Sequence, residues 1–153
     1  MQRWSKVVAR LSLVSWVGAA VFFVAVAIRP IRSPELDTTS KALLANLLFP
    51  GYYAFAFSLL VTGWVSTLLS VPRRRSWQLL WVTLALVVAT ADWVWIYSPL
   101  AEMTRRQWLE QAAPPANFRS YHVASMAINS VGLACSTVAA FLSCLPDREA
   151  PRE

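Results

Sequence analysis

Five side chains in the C-terminal half of the chain have the types that bind protons, solutes or metals. Asp92 interrupts an otherwise uncharged apolar segment, and His122, Ser125, Met126 and Asn129 follow in the next one. The last four stand at i, i+3, i+4 and i+7, so a helix presents them on one face. Polar groups in an apolar helix are expensive unless they satisfy one another. We therefore predict that Asp92 faces this stripe and forms a polar pocket with it.

Such a pocket has three interpretations. It holds the helices together as a structural network, or it binds a proton, a small solute or a metal complex through Asp92, His122, Met126 and Asn129. The third interpretation is a haem site. Because the chain has a single histidine, the axial ligands would be His122 with Met103 or Met126, or symmetry-related histidines. The structural interpretation requires no cofactor and no metal.

The sequence lacks the parts of the common catalytic sites. It has one histidine, no Gly-rich phosphate loop and no nucleophile elbow, which leaves hydrolysis and phosphoryl transfer without their residues. Cys135 and Cys144 lie about 13 Å apart along one helix, too far for a disulfide. Two cysteines also fall short of the four ligands of a structural zinc site. We predict a non-enzymatic protein.

The elements that must position these residues are apolar segments. Of the 153 residues, 57% are hydrophobic and 14% are charged, too few to cover a water-soluble globule. A hydrocarbon core of about 30 Å needs roughly 20 helical residues. Four segments reach that length, at 11–28, 51–71, 77–97 and 121–145. We predict an all-α membrane protein, one domain over 1–153, built as a four-transmembrane-helix bundle with short outer-face helical segments.

The basic residues predict the orientation of this bundle. Arg3, Lys6 and Arg10 precede the first segment, and Arg73 to Arg75 fill the turn between the second and third. Short basic segments stay in the cytoplasm, so both termini are predicted to be cytoplasmic, in a bacterial cytoplasmic membrane. The first segment imitates a signal peptide, but its 18 uncharged residues exceed the usual apolar region of about 7 to 15. Basic clusters beside apolar segments favour membrane lipids over nucleic acid as partners.

Two segments between the spans carry helix-start signals. Ser33-Pro34-Glu35 predicts a helix over 34–49, either interfacial or the upper half of a long second helix kinked or ended at Pro50 and Gly51. Ser98-Pro99 predicts a second helix over 99–112, and Asn117 offers a cap to the fourth span. Trp93, Trp95 and Tyr97 are predicted to belong to the aromatic belt at the outer interface.

Small residues at helical spacing mark the faces on which helices approach closely in lipid. The predicted contact stripes are Ser15 and Ala19, then Ser58, Thr62 and Ser66, then Ala85 and Ala89, and finally Ser136 and Ala140.

Three sequence elements carry a resemblance to a known family. They are Trp16-Val17-Gly18 with Phe22-Phe23, then Leu48-Phe49-Pro50-Gly51-Tyr52-Tyr53, and then His122-x-x-Ser125-x-x-x-Asn129. In that order they resemble the transmembrane protein 205-like family, also known as domain of unknown function 4149. The resemblance implies a four-helix membrane bundle, an association with resistance to metal-containing drugs, and a functional role for His122, Ser125 and Asn129.

These observations together predict an accessory or stabilising component of a larger membrane assembly. Its partners would be membrane lipids and other membrane-protein subunits or a second copy of itself. A solute-binding or metal-complex transport protein of the resistance type is the first alternative. A haem-linked redox membrane protein is the second.

Overall fold

The computed structural model of the chain describes residues 2–26, 28–70, 76–111 and 113–145. All regular elements in this part of the chain are helical. They are α1 (Gln2–Val26), α2 (Ile28–Arg32), α3 (Thr38–Ser70), α4 (Ser76–Ala91), a π-helix (Asp92–Tyr97), α5 (Ser98–Leu109) and α6 (Phe118–Cys144).

Four of the resulting helical stretches are long and apolar enough to cross a membrane. They cover Arg3–Arg32, Thr38–Ser70, Ser76–Leu109 and Phe118–Cys144. Helix α1 packs on α3 and α6, and α4 packs on the same two helices, so the four long helices form a ring. The prediction of an all-α fold with four helices of spanning length is confirmed.

The core lies along the axis of this ring. Every long helix contributes to it, and most of the contributions are small or branched side chains that let the backbones approach. Its buried members are Leu13, Trp16, Ala20, Ala56, Leu60, Val82, Ala85, Cys135, Ala139 and Ala140. Large apolar side chains such as Phe22, Leu69, Val87 and Phe141 instead lie exposed on the outside of the ring, as lipid-facing residues do.

Hydrogen bonds of polar side chains connect neighbouring helices of the ring. The Trp16 indole donates to the Ser136 hydroxyl at 3.1 Å, joining α1 to α6. The Trp64 indole donates to the Thr83 hydroxyl at 2.9 Å, joining α3 to α4. Hydrogen bonds of this kind between helices add to packing in fixing which helix faces meet.

Helix α3 begins later than the sequence predicts. The expected start at Ser33-Pro34 is wrong, because Ser33 caps only a turn, accepting the Glu35 amide at 3.2 Å. Asp37 is the actual cap: its Oδ1 accepts the Ser40 amide at 2.6 Å, and its Oδ2 accepts the Ser40 hydroxyl at 3.2 Å. An Asp at this position satisfies amides that the first turn leaves free.

Helix α3 continues through Pro50 to Ser70. Of the two interpretations of 34–49, the one that makes this segment the upper part of a long second helix therefore describes the structure. Termination of the helix at Pro50 does not occur. Both Pro50 and Gly51 lie exposed on the outside of α3.

The third long helical stretch, Ser76–Leu109, is also continuous, although the sequence predicts a new helix start at Ser98-Pro99. The π-helix joins α4 directly to α5, and the Ser98 amide bonds the Trp93 carbonyl five residues back. Pro99 has no amide hydrogen for the bond to residue 95 that an α-helix requires, and the π-helix lies directly before it. Helix α5 ends at Leu109 rather than at Ala112, which lies outside the described residues.

The loop before α6 turns at Gln111, whose φ of 51° is in the left-handed region. Asn117 occupies the cap position of α6, but its side chain makes no capping hydrogen bond. The basic turn at Arg73 to Arg75 lies outside the described residues.

The predicted small-residue stripes are correct for two helices and wrong for parts of the other two. Ala85, Ser136 and Ala140 are buried in the ring, as is Ser66 on α3. Ser15, Ser58 and Thr62 instead lie on the exposed surface. On α1, the bulky Leu13 and Trp16 occupy the interior face, because interdigitated large side chains pack as densely as small ones.

Candidate functional site

Asp92 is the first residue of the π-helix and is only 1% exposed. A buried carboxyl in an apolar bundle is a candidate functional site, because its charged form is costly there. Single π-turns within α-helices are frequent at such sites, since they shift side chains out of the regular register. The change from α-helix to π-helix thus occurs at Asp92, the only acidic residue of the apolar segment 77–97.

Three hydroxyl or amide donors converge on one oxygen of this carboxyl, Oδ2. The Tyr53 hydroxyl donates to it from α3. From α6, the Asn129 amide donates at 2.5 Å and the Ser125 hydroxyl at 3.5 Å. We name Asp92, Tyr53, Ser125 and Asn129 the Asp92 cluster; it joins three helices in one polar contact.

The cluster is also connected within itself. The Asn129 amide lies 3.3 Å from the Tyr53 hydroxyl and 3.0 Å from the Ser125 carbonyl oxygen. A side chain held by several bonds has few alternative rotamers, so the donors are oriented towards the carboxyl before it acquires any ligand.

Aromatic rings pack around the Tyr53 side of the cluster. The Tyr53 ring centroid lies 4.5 Å from that of Tyr97 and 5.0 Å from that of Trp93. Tyr97 is 8% exposed, so its predicted place in an exposed aromatic belt is wrong. These rings pack against the Tyr53 ring, whose hydroxyl bonds the carboxyl.

A small cavity borders the cluster on the opposite side. It gives the centre of a water molecule about 20 Å³ of space, and all four long helices line it, through Trp16, Leu60, Ala85, Asp92 and Gly132 among others. The second oxygen of the carboxyl, Asp92 Oδ1, is buried and has no hydrogen-bond partner among the described residues.

The structure brings together three of the five predicted pocket residues. Asp92, Ser125 and Asn129 lie in direct contact, whereas His122 and Met126 are exposed on α6. The His122 ring stacks on Phe118 at a centroid distance of 6.3 Å. His122 lies at the edge of the helix face that carries Ser125 and Asn129. Only the centre of that face, with Ser125 and Asn129, packs against the other helices.

Two residues of the site were missed as pocket residues. Tyr53 supplies a donor to the carboxyl, and Trp16 lines the cavity. Both belong to sequence elements on which the family resemblance rests, Trp16-Val17-Gly18 and Pro50-Gly51-Tyr52-Tyr53. Their place in these elements was the only sequence signal for a role in the site, because an aromatic residue in an apolar helix does not by itself indicate a functional residue.

Within the described ranges, no group of three or more His, Cys, Asp or Glu side chains is arranged to hold a metal ion. Cys135 is buried in the core, and Cys144 is exposed at the end of α6. The four donors and acceptors of the Asp92 cluster are oxygen and amide groups, a set suited to protons, water and polar solutes.

A second, larger cavity lies on α5 and the loop that follows. It has about 540 Å³ of space and is lined by Glu102, Arg106, Gln107 and Glu110 among others. Glu102 is ion-paired there with Arg105 at 2.8 Å and with Arg106 at 3.0 Å. The cavity is wide and open, and two of its charged residues, Glu102 and Arg106, already pair with each other.

Fold and site define this chain as an all-α protein with four helices of membrane-spanning length and a buried carboxyl cluster between three of them. Comparisons of the chain with family models, with curated proteins and with solved structures give no match. The resemblance to the transmembrane protein 205-like family stays a prediction.

Proposed function

We propose that this chain is a non-enzymatic integral membrane protein that serves as an accessory or stabilising component of a larger membrane assembly. Its place would be a bacterial cytoplasmic membrane, with both termini in the cytoplasm. The basic residues Arg3, Lys6 and Arg10 before the first span support that orientation. The observation that carries the proposed role is the outward face of α6.

Part of that face consists of small residues, although the large side chains of Val131 and Phe141 are exposed on it as well. Ala127, Ser130, Ala134 and Thr137 follow one another at spacings of three and four, and all four are exposed. The Ser130 and Thr137 hydroxyls bond carbonyls of their own helix at 2.8 Å, so they present no unpaired polar group. A smooth stripe of this kind lets a second helix approach closely in lipid. We name these four residues the α6 stripe.

The outward face of α4 differs in a way that supports this interpretation. It presents large side chains, with Trp77, Leu80 and Val87 between 45% and 65% exposed. Branched and aromatic side chains of this size match lipid tails and keep other backbones at a distance. Small exposed residues thus follow one another along α6 and not along α4, which favours α6 as the side on which another transmembrane helix docks.

The filled interior supports a role through contacts rather than through passage of a solute. The cavity beside Asp92 has about 20 Å³ of space, enough for about one water molecule. A metal complex or an organic solute needs a far larger site. The centre of a single bundle is therefore too narrow for a solute of this size to pass through it.

Cysteine cross-linking in native membranes tests this proposal. In a background with Cys135→Ala and Cys144→Ser, we expect Ala134→Cys to form cross-linked species under mild oxidation or with a short bifunctional reagent. The matched control is Val87→Cys on α4, which is exposed to a similar environment. A cross-linked product of twice the chain mass would identify a second copy, and a product of another mass would identify a different subunit.

Equal cross-linking of the two variants at background level would contradict the proposal. Ala134→Phe adds an independent test, because a bulky ring on the α6 stripe should release the partner in mild detergent while the bundle stays folded. The haem alternative requires His122 with Met103 or Met126, or symmetry-related histidines, as axial ligands. An absorption spectrum with metal analysis of the purified protein tests it.

A further inference from the structure

The two oxygens of the Asp92 carboxyl have unequal surroundings. Oδ2 accepts the Tyr53 hydroxyl and the Asn129 amide, with the Ser125 hydroxyl farther away at 3.5 Å. Two close donors fill the lone pairs of a carbonyl oxygen. Oδ1 is equally buried and is bonded to none of the described residues. An ionised carboxylate shares its charge between both oxygens and needs donors at both, whereas a neutral acid has one carbonyl oxygen and one hydroxyl.

The groups that face Asp92 from each packed element are neutral. Helix α3 presents Tyr53, with Tyr52 packed beside it, and α6 presents Ser125 and Asn129. From α1, the indole of Trp16 lines the same cavity. Ion pairs between described residues involve Glu102 with Arg105 and Arg106, and none involves Asp92. No described cation therefore compensates a negative charge at this position.

The cavity bordering Asp92 has the size and the polar wall that one buried water needs. A water requires about 10 to 15 Å³ of space for its centre and two to four polar partners. The cavity provides about 20 Å³, and both the Asp92 carboxyl and the Ser136 hydroxyl line it. Asn129 also lines the cavity, and the remaining residues of its wall are mostly apolar, so the space suits one hydrogen-bonded water rather than a hydration shell.

We propose that Asp92 is a proton-binding site, with the proton on Oδ1 and donated to one buried water in the cavity beneath it. In this state Oδ2 is the carbonyl oxygen that Tyr53 and Asn129 bond. The site takes a proton and a water, in contrast to the solute and metal interpretations of the same carboxyl. It is independent of the α6 stripe, which lies on the outer surface of the bundle.

Carbon-13 NMR of the aspartate carboxyls tests the proton. The chain has three aspartates, Asp37, Asp92 and Asp147, so carboxyl-labelled aspartate gives three signals in lipid nanodiscs. We expect one signal to keep the position of a neutral acid at pH 7 while the other two are ionised. Asp92→Asn should remove it. Where this variant fails to fold, Asp37→Asn and Asp147→Asn assign the Asp92 signal by elimination.

An Asp92 signal that titrates in the same acidic range as Asp37, so that it is ionised at pH 7, would overturn the proposal. The water is tested by magnetisation transfer from water protons to the Asp92 carboxyl carbon. We expect transfer in the parent protein, its loss in Ala89→Val, which fills the cavity, and its retention in Thr90→Val, which replaces an exposed neighbour. Absence of transfer in the parent protein would overturn the assignment of the water.

Discussion

The Asn129 amide donates to Asp92 Oδ2 at 2.5 Å and thereby joins α6 to the π-helix inside an apolar bundle. The two residues are 37 positions apart in sequence, and each would be costly to bury in the bundle without the other. Asn129 is half-buried and Asp92 almost fully buried. Each removes the desolvation cost of the other, so the two form one structural unit with Tyr53.

Substitutions of Asp92 test whether this residue stabilises the bundle by accepting hydrogen bonds or by its charge. We expect Asp92→Asn to keep most of the stability, because the amide oxygen accepts from Tyr53 and Asn129 and the amide nitrogen takes the place of the acid hydroxyl. Asp92→Leu leaves two buried donors unpaired, at about 1 to 3 kcal/mol each. Thermal unfolding in detergent measures the difference.

Equal stability of these two variants would show that Tyr53 and Asn129 find other hydrogen-bond partners. The Asp92 cluster would then contribute nothing measurable to the stability of the bundle. Ser125→Ala serves as the milder control, since its hydroxyl lies at 3.5 Å from the carboxyl and its loss should cost less than that of Asn129.

The Trp16–Ser136 hydrogen bond allows a double-mutant cycle across α1 and α6. The bond is buried and 3.1 Å long. We expect Trp16→Phe and Ser136→Ala to be coupled by about 0.6 kcal/mol, the average for such bonds between membrane helices. Unfolding of the parent, both single variants and the double variant supplies the four free energies. A coupling of zero would mean that packing alone holds the ring of Trp16.

Hydropathy accounts for most of the fold that the sequence predicts. Segments that are apolar over a membrane thickness become helices because their amides have no other partners. The ends of helices depend on finer balances. Ser33 and Asp37 are both good caps, and the structure uses Asp37, whose two oxygens reach one residue, Ser40.

The candidate site shows what periodicity can and cannot supply. Spacing placed Ser125 and Asn129 on one face of α6, and cost in lipid pointed that face at Asp92, which the structure reproduces. Spacing could not distinguish His122, at the edge of that face, from Ser125 at its centre. The π-turn at Asp92 was equally hidden, because apolar periodicity does not distinguish its residues from those of the α-helices on either side.

Asp37 gives the start of α3 a dependence on pH. The hydrogen bond from the Ser40 amide lowers the pKa of this carboxyl below its ordinary 3.8. A lowered pKa in the folded state means that the stabilisation is complete above pH 3.8 and is lost as the pH falls through the folded value. We expect the Ser40 amide NMR shift to titrate in that range.

Asp37→Asn should abolish this titration and keep the cap, since asparagine caps helices as well as aspartate does. Asp37→Ala should abolish both and lower the melting temperature. A Ser40 shift that titrates unchanged in Asp37→Asn would assign the effect to another carboxyl, such as Glu35.

Two glycines in the long helices should respond oppositely to alanine. A Cβ at Gly63 would lie 3.1 Å from Cδ2 of Leu13, a side chain that is fully buried and cannot move away. We expect Gly63→Ala to destabilise the bundle by about 1 to 3 kcal/mol, as overpacking does. Around Gly18 a Cβ meets nothing within 4 Å, and Gly18→Ala should stabilise the helix by about 0.5 to 1 kcal/mol. Unfolding in the same detergent compares the two, and a loss in both would point to lipid-side contacts of Gly18.

The orientation of the bundle is tested by the side from which introduced cysteines are labelled. Ser76 lies exposed at the start of α4, directly after Arg73 to Arg75 in sequence, and Ala116 lies exposed in the loop before α6. With Cys135→Ala and Cys144→Ser removing native thiols, a membrane-impermeant maleimide added to intact cells should label Ala116→Cys and leave Ser76→Cys unlabelled until the cells are opened, because short basic segments are retained in the cytoplasm. The reverse pattern would place both termini outside, and labelling of both variants from outside would contradict the assignment of α4 as a complete span.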